Sequence, residues 1–194
     1  MANIDHKPSK YMLNLLHVLP AFANEEEGVV NTIIEVSAGS INKYETITES
    51  GQLKLDRVGY SSLSYPFTYG ALPTTWDLDN DPLDIMIVNV TEPLVAGSLA
   101  EVRVIGAMKF VDTGEVDDKI IGVLAGDKRV DHIQTVEDLG EYFKKEIKYY
   151  WENYKALKKP GTGVVGEFLN ADEALQIIRE SMARYEKDYK PKFS

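Results

Sequence analysis

Asp79-Asn80-Asp81-Pro82-Leu83-Asp84 places three carboxylates within six residues, and the apolar run Ile85-Met86-Ile87-Val88 follows at once. That run shows no alternation, which marks a strand buried on both faces. The acidic cluster is therefore expected at the mouth of a core strand, on a rigid base. Carboxylates this close repel: at about 4 Å and an effective dielectric near 20, each pair costs on the order of 4 kcal/mol. Protonation offsets that cost, and so does a hard dication held by oxygen ligands. Asp79 and Asp81 are two apart, so on extended chain both project to one side. Pro82 fixes the turn toward Asp84. The stretch reads as a site for Mg2+ or a similar ion, with a solvated acidic turn as the alternative for a bare D-x-D.

Working outward, the 194 residues fit one domain, 44% apolar, with a formal net charge of −10. Such a charge opposes nucleic acid or an anionic membrane as the main partner. An anionic substrate would need metal ions or a local basic patch. There is no cysteine, which excludes disulfides, zinc thiolates and thiol nucleophiles. No run reaches the roughly 18 apolar residues of a membrane span. Met1 to Lys10 is polar and does not resemble a secretory signal, so a cytoplasmic location is expected.

Met12, Leu15, Leu16 and Leu19 suggest one short amphipathic helix, and Asn24–Gly28 a loop. Thr32–Val36, Tyr44–Thr48 and Leu53–Val58 read as strands, as do 83–90, 99–111 and Lys119–Leu124. The C-terminal third is helical. Thr135 with Asp138 is expected to open a helix whose stripe is Val136, Leu139, Phe143, Ile147, Tyr150 and Tyr154. Lys158-Lys159-Pro160-Gly161 stops it. Asn170 with Glu173 opens a second, with stripe Leu175, Ile178, Met182 and Tyr185. Many strands followed by two helices indicate an α+β or barrel-with-helices domain. The expected layout is a single domain, 1–194: an N-terminal extension 1–28, a β core 29–128 and helices 135–190.

Two motifs fail. Gly161-Thr162-Gly163-Val164-Val165-Gly166 spells G-x-G-x-x-G, but it lacks the preceding strand a dinucleotide site needs. Asp77, Asp79 and Asp81 match an EF-hand start, but Pro82 and Val88 stand where Gly and Glu are required. His6, His17 and His132 fit no metal spacing and read as surface or internally satisfied residues.

Further carboxylates lie at Asp112, Glu115, Asp117 and Asp118, and at Glu35 and Glu45 in the early strands. If Asp112 and Asp117 meet Asp79 and Asp84, the cluster can hold metals about 3.5–4 Å apart that activate water and clamp a phosphoryl group. Lys43, Arg57, Lys119 and Lys155 supply charge for a phosphate, and Tyr65, Tyr69 and Tyr154 supply hydroxyls. On spacing alone this is a metal-dependent hydrolase of phosphates. Two other readings stand beside it: a metal-dependent phosphohydrolase acting on nucleotides, and a non-enzymatic OB-like binding module.

Asp79–Asp84 also matches the D-x-D-P-x-D signature of the soluble inorganic pyrophosphatases of family I. Ile34-Glu35-Val36, Lys43-Tyr44-Glu45, Asp56-Arg57, Tyr65-Pro66 and Tyr69-Gly70 follow the same pattern. So do Gly106, Lys109, Asp112, Asp117, Lys119 and Asn153-Tyr154-Lys155. The chain resembles the short prokaryotic type. That resemblance implies an α+β, mainly β fold: a closed five-stranded OB-like β-barrel flanked by C-terminal α-helices. It implies hydrolysis of pyrophosphate to two orthophosphates by a metal-activated water, with several Mg2+ per site, Mn2+ or other divalents being admissible. It implies a homohexamer without nucleic-acid or membrane partners.

By position, Asp79, Asp84, Asp112, Asp117 and Glu35 would hold metal, and Asp81 would be the general base. Tyr69 would lie beside the nucleophile. Lys43, Arg57, Lys119, Tyr154 and Lys155 would bind the phosphates with Tyr69, and Glu45 and Tyr65 would support them. Ile47-Thr48 stands where a charged pair is common, Ala71 where an aromatic is usual, and 160–169 lacks the usual Trp.

Overall fold

The computed structural model describes residues 14–190. Its elements, in chain order, begin with α1 (Leu15–Val18), β1 (Phe22–Asn24), β2 (Val29–Val36), β3 (Asn42–Thr46), β4 (Leu53–Val58) and β5 (Thr68–Ala71). Then come β6 (Asp84–Ile87), β7 (Leu99–Asp112), β8 (Glu115–Val116) and β9 (Lys119–Leu124). α2 (Gly140–Asn153), β10 (Gly163–Leu169) and α3 (Ala171–Arg184) follow, and a π-helical turn over Tyr185–Tyr189 closes the described chain. Met12 and His6 lie outside the described residues.

The expected closed five-stranded OB-like barrel is corrected. Eight strands form one mixed sheet in the order β1-β2-β5-β6-β9-β7-β10, with β8 on β7, and β3–β4 is a separate hairpin. The sheet ends in β1 on one side and β10 on the other. The reason is the length of β7. It pairs with β2 through 99–103, with β9 through 102–108 and with β10 through 107–112. β2 divides likewise, between β7 and β5. Strands shared in this way curl the sheet while adding strands beyond five. The result is a mixed α/β fold with C-terminal helices.

Ile85-Met86-Ile87-Val88 is almost fully buried, as its lack of alternation requires. Where the strands are expected, they form. Four others went unread: β1, β5, β8 and β10. β10 includes residues 163–166 of the G-x-G-x-x-G stretch, and it can lie close because Gly163 has no side chain. A Cβ there would meet the Trp151 carbonyl at 2.4 Å.

The helices differ in detail. Asp138 does bond Thr135, accepting its N–H at 2.8 Å and its hydroxyl at 3.0 Å. That bond closes a 3-10 turn over Glu137–Leu139, and α2 itself starts at Gly140. At α3 the capping box of Asn170 and Glu173 is complete in both directions. The buried stripe is Ala174, Ile178 and Ser181, one residue earlier than Leu175 and Met182 would suggest. Small residues at the centre of the contact let α3 approach β7 closely.

Two apolar cores flank the sheet. One gathers Tyr65, Phe67, Tyr69, Phe110, Tyr150 and Trp151 beneath the site; the other packs Ile34, Ile85, Ile87, Val102 and Ile120 against α3. Full burial of each such side chain stabilises the fold by about 1.5–3 kcal/mol.

Candidate active site

The acidic stretch is a tight loop between β5 and β6. Asp77 N–H donates to the Asp81 carbonyl at 2.7 Å, and Asn80 turns through a left-handed conformation (φ 67°). Asn tolerates that region better than most residues. Asp79 and Asp81 therefore share a side through a turn, not through extended chain as expected. At the loop's end, Leu83 N–H is fixed by the buried Thr75 hydroxyl at 3.0 Å.

Sheet topology then supplies the partners. β6 runs parallel to β9, and the register sets Asp84 beside Lys119. β7 ends at Asp112 next to the Asp117–Lys119 entry into β9. In the β3–β4 hairpin Lys43 lies opposite Arg57. Like charges directly across a hairpin are destabilising, which leaves this pair suited to an anion. The C-terminal end of α2 delivers Tyr154 and Lys155.

These elements enclose a cavity of about 380 Å³. Asp79, Asp81, Asp84, Asp112 and Asp117 line it, together with Lys43, Arg57, Lys119 and Lys155 and the phenols of Tyr65, Tyr69 and Tyr154. Glu45 lines it too. A second cavity of about 210 Å³ shares Glu45, Asp81 and Asp84 with the first and takes Glu35 into its wall. Every residue expected at the site is thus on one of two adjoining cavities. Asp118 is not. It is 5% exposed and bonds Lys109 at 2.6 Å and the Phe110 N–H at 3.2 Å, a structural role.

Lys119 is the centre of charge. It is 1% exposed, and its ammonium bonds both Asp84 and Asp117. Tyr69, Phe110 and Trp151 wall it at 5.6, 5.9 and 5.4 Å from their ring centroids. Burial pulls its pKa down, but Asp84 and Asp117 more than reverse that and hold it charged. The Tyr69 phenol donates to Asp84, and Tyr154 donates to Asp112 at 3.0 Å beside Lys155. Burial pushes Asp112 up, but Lys155 and Tyr154 hold it below the usual carboxylate range.

The other carboxylates lack such compensation. Burial, then the charges of Asp84 and Asp79, push Asp81 up to about 8. Burial with Asp117 and Asp84 raises Asp79 to about 7. Burial and Asp84 raise Glu35 to about 7, although it accepts the Thr46 N–H at 2.7 Å. These are the signs of several carboxylates kept together without enough positive charge.

The donor set is all hard oxygen, the chemistry Mg2+ selects. Among the described residues, no three or more His, Cys, Asp or Glu side chains stand grouped as metal ligands. Lys119 lies between Asp84 and Asp117 and bonds both.

Sequence reasoning missed the brace behind the loop. Arg184 bonds Asp77 at 2.7 Å and the Trp76 carbonyl at 3.0 Å, and Tyr189 stacks on Trp76 at 4.0 Å. His17 bonds the Thr48 carbonyl at 2.7 Å and the Tyr185 phenol at 2.8 Å, so it is internally satisfied as expected. The two terminal segments thus clamp the acidic loop and the β3–β4 turn. Aromatic spacing after residue 184 was the available signal.

Comparison with known proteins gives one consistent answer. Residues 32–186 match the family model described as "Inorganic pyrophosphatase". An inorganic pyrophosphatase of Geobacillus stearothermophilus is 43% identical over 160 residues, covering 82% of this chain and 96% of that one. A soluble inorganic pyrophosphatase of Zea mays is 41% identical over 157 residues, covering 81% and 72%. The crystal structure of the Thermus thermophilus inorganic pyrophosphatase superposes with a TM-score of 0.83 at 42% identity, covering 90% of this chain and 99% of that one.

Proposed function

This chain belongs to the soluble inorganic pyrophosphatases of family I and hydrolyses pyrophosphate to two orthophosphates, and on that premise we propose how its residues divide the work. The observation that supports the division is the cavity of about 380 Å³ lined by both carboxylates and cations.

Mg2+ dependence is typical of the family. Asp79, Asp84 and Asp117 would hold a first ion, with Asp112 and Glu35 completing sites for further ones; Mn2+ is an admissible substitute. When bound, such ions lower the pKa of water and neutralise phosphate charge. Lys119, which bonds Asp84 and Asp117, would share those carboxylates with such an ion and offer its ammonium to a phosphate oxygen.

Asp81 is the proton acceptor. It is carried on the loop, raised toward neutrality, and tied to neither a lysine nor an arginine. A base is most effective with its pKa near the working pH. Tyr69 orients Asp84 and the water beside it. Lys43 and Arg57, repelling across the hairpin, are relieved by one phosphoryl group, and Tyr154 and Lys155 bind the other. Glu45 holds Lys43 in place, and Tyr65 supports Tyr69 at 5.8 Å between rings.

The deciding assay compares phosphate release from pyrophosphate and from ATP with Mg2+. Fast release from pyrophosphate alone supports this reading; equal release from ATP would favour a nucleotide phosphohydrolase. Homohexamer assembly is part of the same proposal, resting on chain length and kinship. Light scattering should give six times the chain's 21.8 kDa; a monomer mass would reject it. Among the described residues, no helix is long and apolar enough to cross a membrane.

A further inference from the structure

Tyr60 and Lys158 face each other outside the pocket, where Tyr60 shares the wall of a small adjoining crevice with Lys43, Arg57 and Tyr154. The Lys158 ammonium donates to the Tyr60 phenol oxygen at 2.9 Å and lies 4.7 Å from the ring centroid. Each stands three residues beyond a cation of the pocket: Tyr60 after Arg57, Lys158 after Lys155. The turn that brings Lys158 back toward Tyr60 is held by its N–H on the Lys155 carbonyl at 2.9 Å.

The chemistry of this pair differs from that of the pocket lysines. Lys43, Lys119 and Lys155 each hold a carboxylate. Among the described residues Lys158 has no carboxylate in ion-pair distance; its partner is a phenol, which leaves the positive charge uncancelled. The Tyr60 oxygen accepts from Lys158, so its own O–H proton is left to donate. An ammonium and a phenol O–H side by side present two donors and one charge, which suits a phosphate oxygen.

Position gives the pair its use. The Lys158 hydrogen bond, with smaller contributions from the charges of Arg57 and Lys155, lowers the Tyr60 phenol below its ordinary value. Arg57 and Lys155 thus lie within electrostatic reach of the pair, and Lys158 adds a charge that no carboxylate cancels among the described residues. Elsewhere an anionic substrate approaching a chain of net charge −10 is repelled.

We propose that Lys158 and Tyr60 form an outer phosphate subsite, one position outside Arg57 and Lys155, which captures pyrophosphate on entry and retains orthophosphate on exit. The proposal rests on the pyrophosphatase reading of the pocket. It adds a binding position to that pocket and no chemical step.

The test uses Lys158→Gln, with Lys159→Gln as a control of equal charge change at the neighbouring exposed lysine. Lys158→Gln should lower kcat/KM about five-fold at low salt, mainly through KM, and the loss should shrink as salt screens the charge. Inhibition by orthophosphate should weaken in parallel. Lys158→Arg should restore most of the loss, and Tyr60→Phe should give a smaller one. Equal behaviour of Lys158→Gln and Lys159→Gln would overturn the proposal, since only net charge would then matter. Calorimetric titration of inorganic phosphate into the Mg2+-loaded protein reads the subsite without turnover. Weaker binding by Lys158→Gln supports the subsite and unchanged binding rejects it, whatever the outcome for pyrophosphate hydrolysis.

Discussion

Asp81 shows what the pocket does to a single side chain. An aspartate in water ionises near pH 4; here burial and four neighbouring carboxylates push it to about 8. If it accepts the proton of the attacking water, Asp81→Asn should lower kcat by about 10²–10⁴-fold while leaving KM within a small factor. Steady-state kinetics on pyrophosphate checks this; equal loss in kcat and in substrate binding would remove the base role. Much at this scale was legible. Three carboxylates in six residues, with Lys119 and the Lys43/Arg57 pair, point to a metal-dependent site for phosphates, and the family resemblance carries the rest. The burial of Lys119 among Tyr69, Phe110 and Trp151 was not legible, because nothing in a sequence says which aromatic rings will wall a charge. Nor was the Arg184–Asp77 bond, whose partners are 107 residues apart.

At the scale of elements, the site depends on registers between strands distant in sequence. The parallel β6–β9 pair aligns Asp84 with Lys119 across 35 residues. Apolar runs announce that both strands are buried, but not that they are neighbours. β5 escaped notice because Thr-Tyr-Gly-Ala has neither alternation nor an apolar run, yet it carries Tyr69. Its Gly70 lies so close to β2 that a Cβ would stand 2.2 Å from the Ile33 carbonyl oxygen. Gly70→Ala should therefore force the strands apart, costing about 1–3 kcal/mol and loosening the Tyr69–Asp84 bond. A lowered denaturant midpoint with reduced activity is the expected result; an unchanged midpoint would show that β5 shifts freely. β10 was hidden by the glycines that let it fit, and with it the extent of the sheet beyond five strands.

For the whole molecule, the two site cavities are lined by more carboxylates than cations. Glu35, Asp79 and Asp81 have folded-state pKa values raised to about 7, 7 and 8 from 4.5, 3.8 and 3.8. A raised folded-state pKa gives stability that is present in full below the unfolded value and lost as pH rises through the folded one. Metal-free protein should therefore melt at progressively lower temperature from about pH 5 to about pH 8.5, by about 2–4 °C for each kcal/mol lost. Mg2+ should flatten that slope by replacing protons as the source of positive charge. Scanning calorimetry with chelator or with Mg2+ reads both; a melting temperature that rises over this range without metal would refute the electrostatic account. The proposal beneath all of this is that Asp79, Asp84 and Asp117 would form one seat for a dication, from which Lys119 would withdraw. Anomalous diffraction from crystals soaked in Mn2+ tests it most directly. The account expects a manganese peak bounded by those three carboxylates, with the Lys119 ammonium withdrawn from at least one of them. Manganese elsewhere, with Lys119 still bridging Asp84 and Asp117, would contradict it.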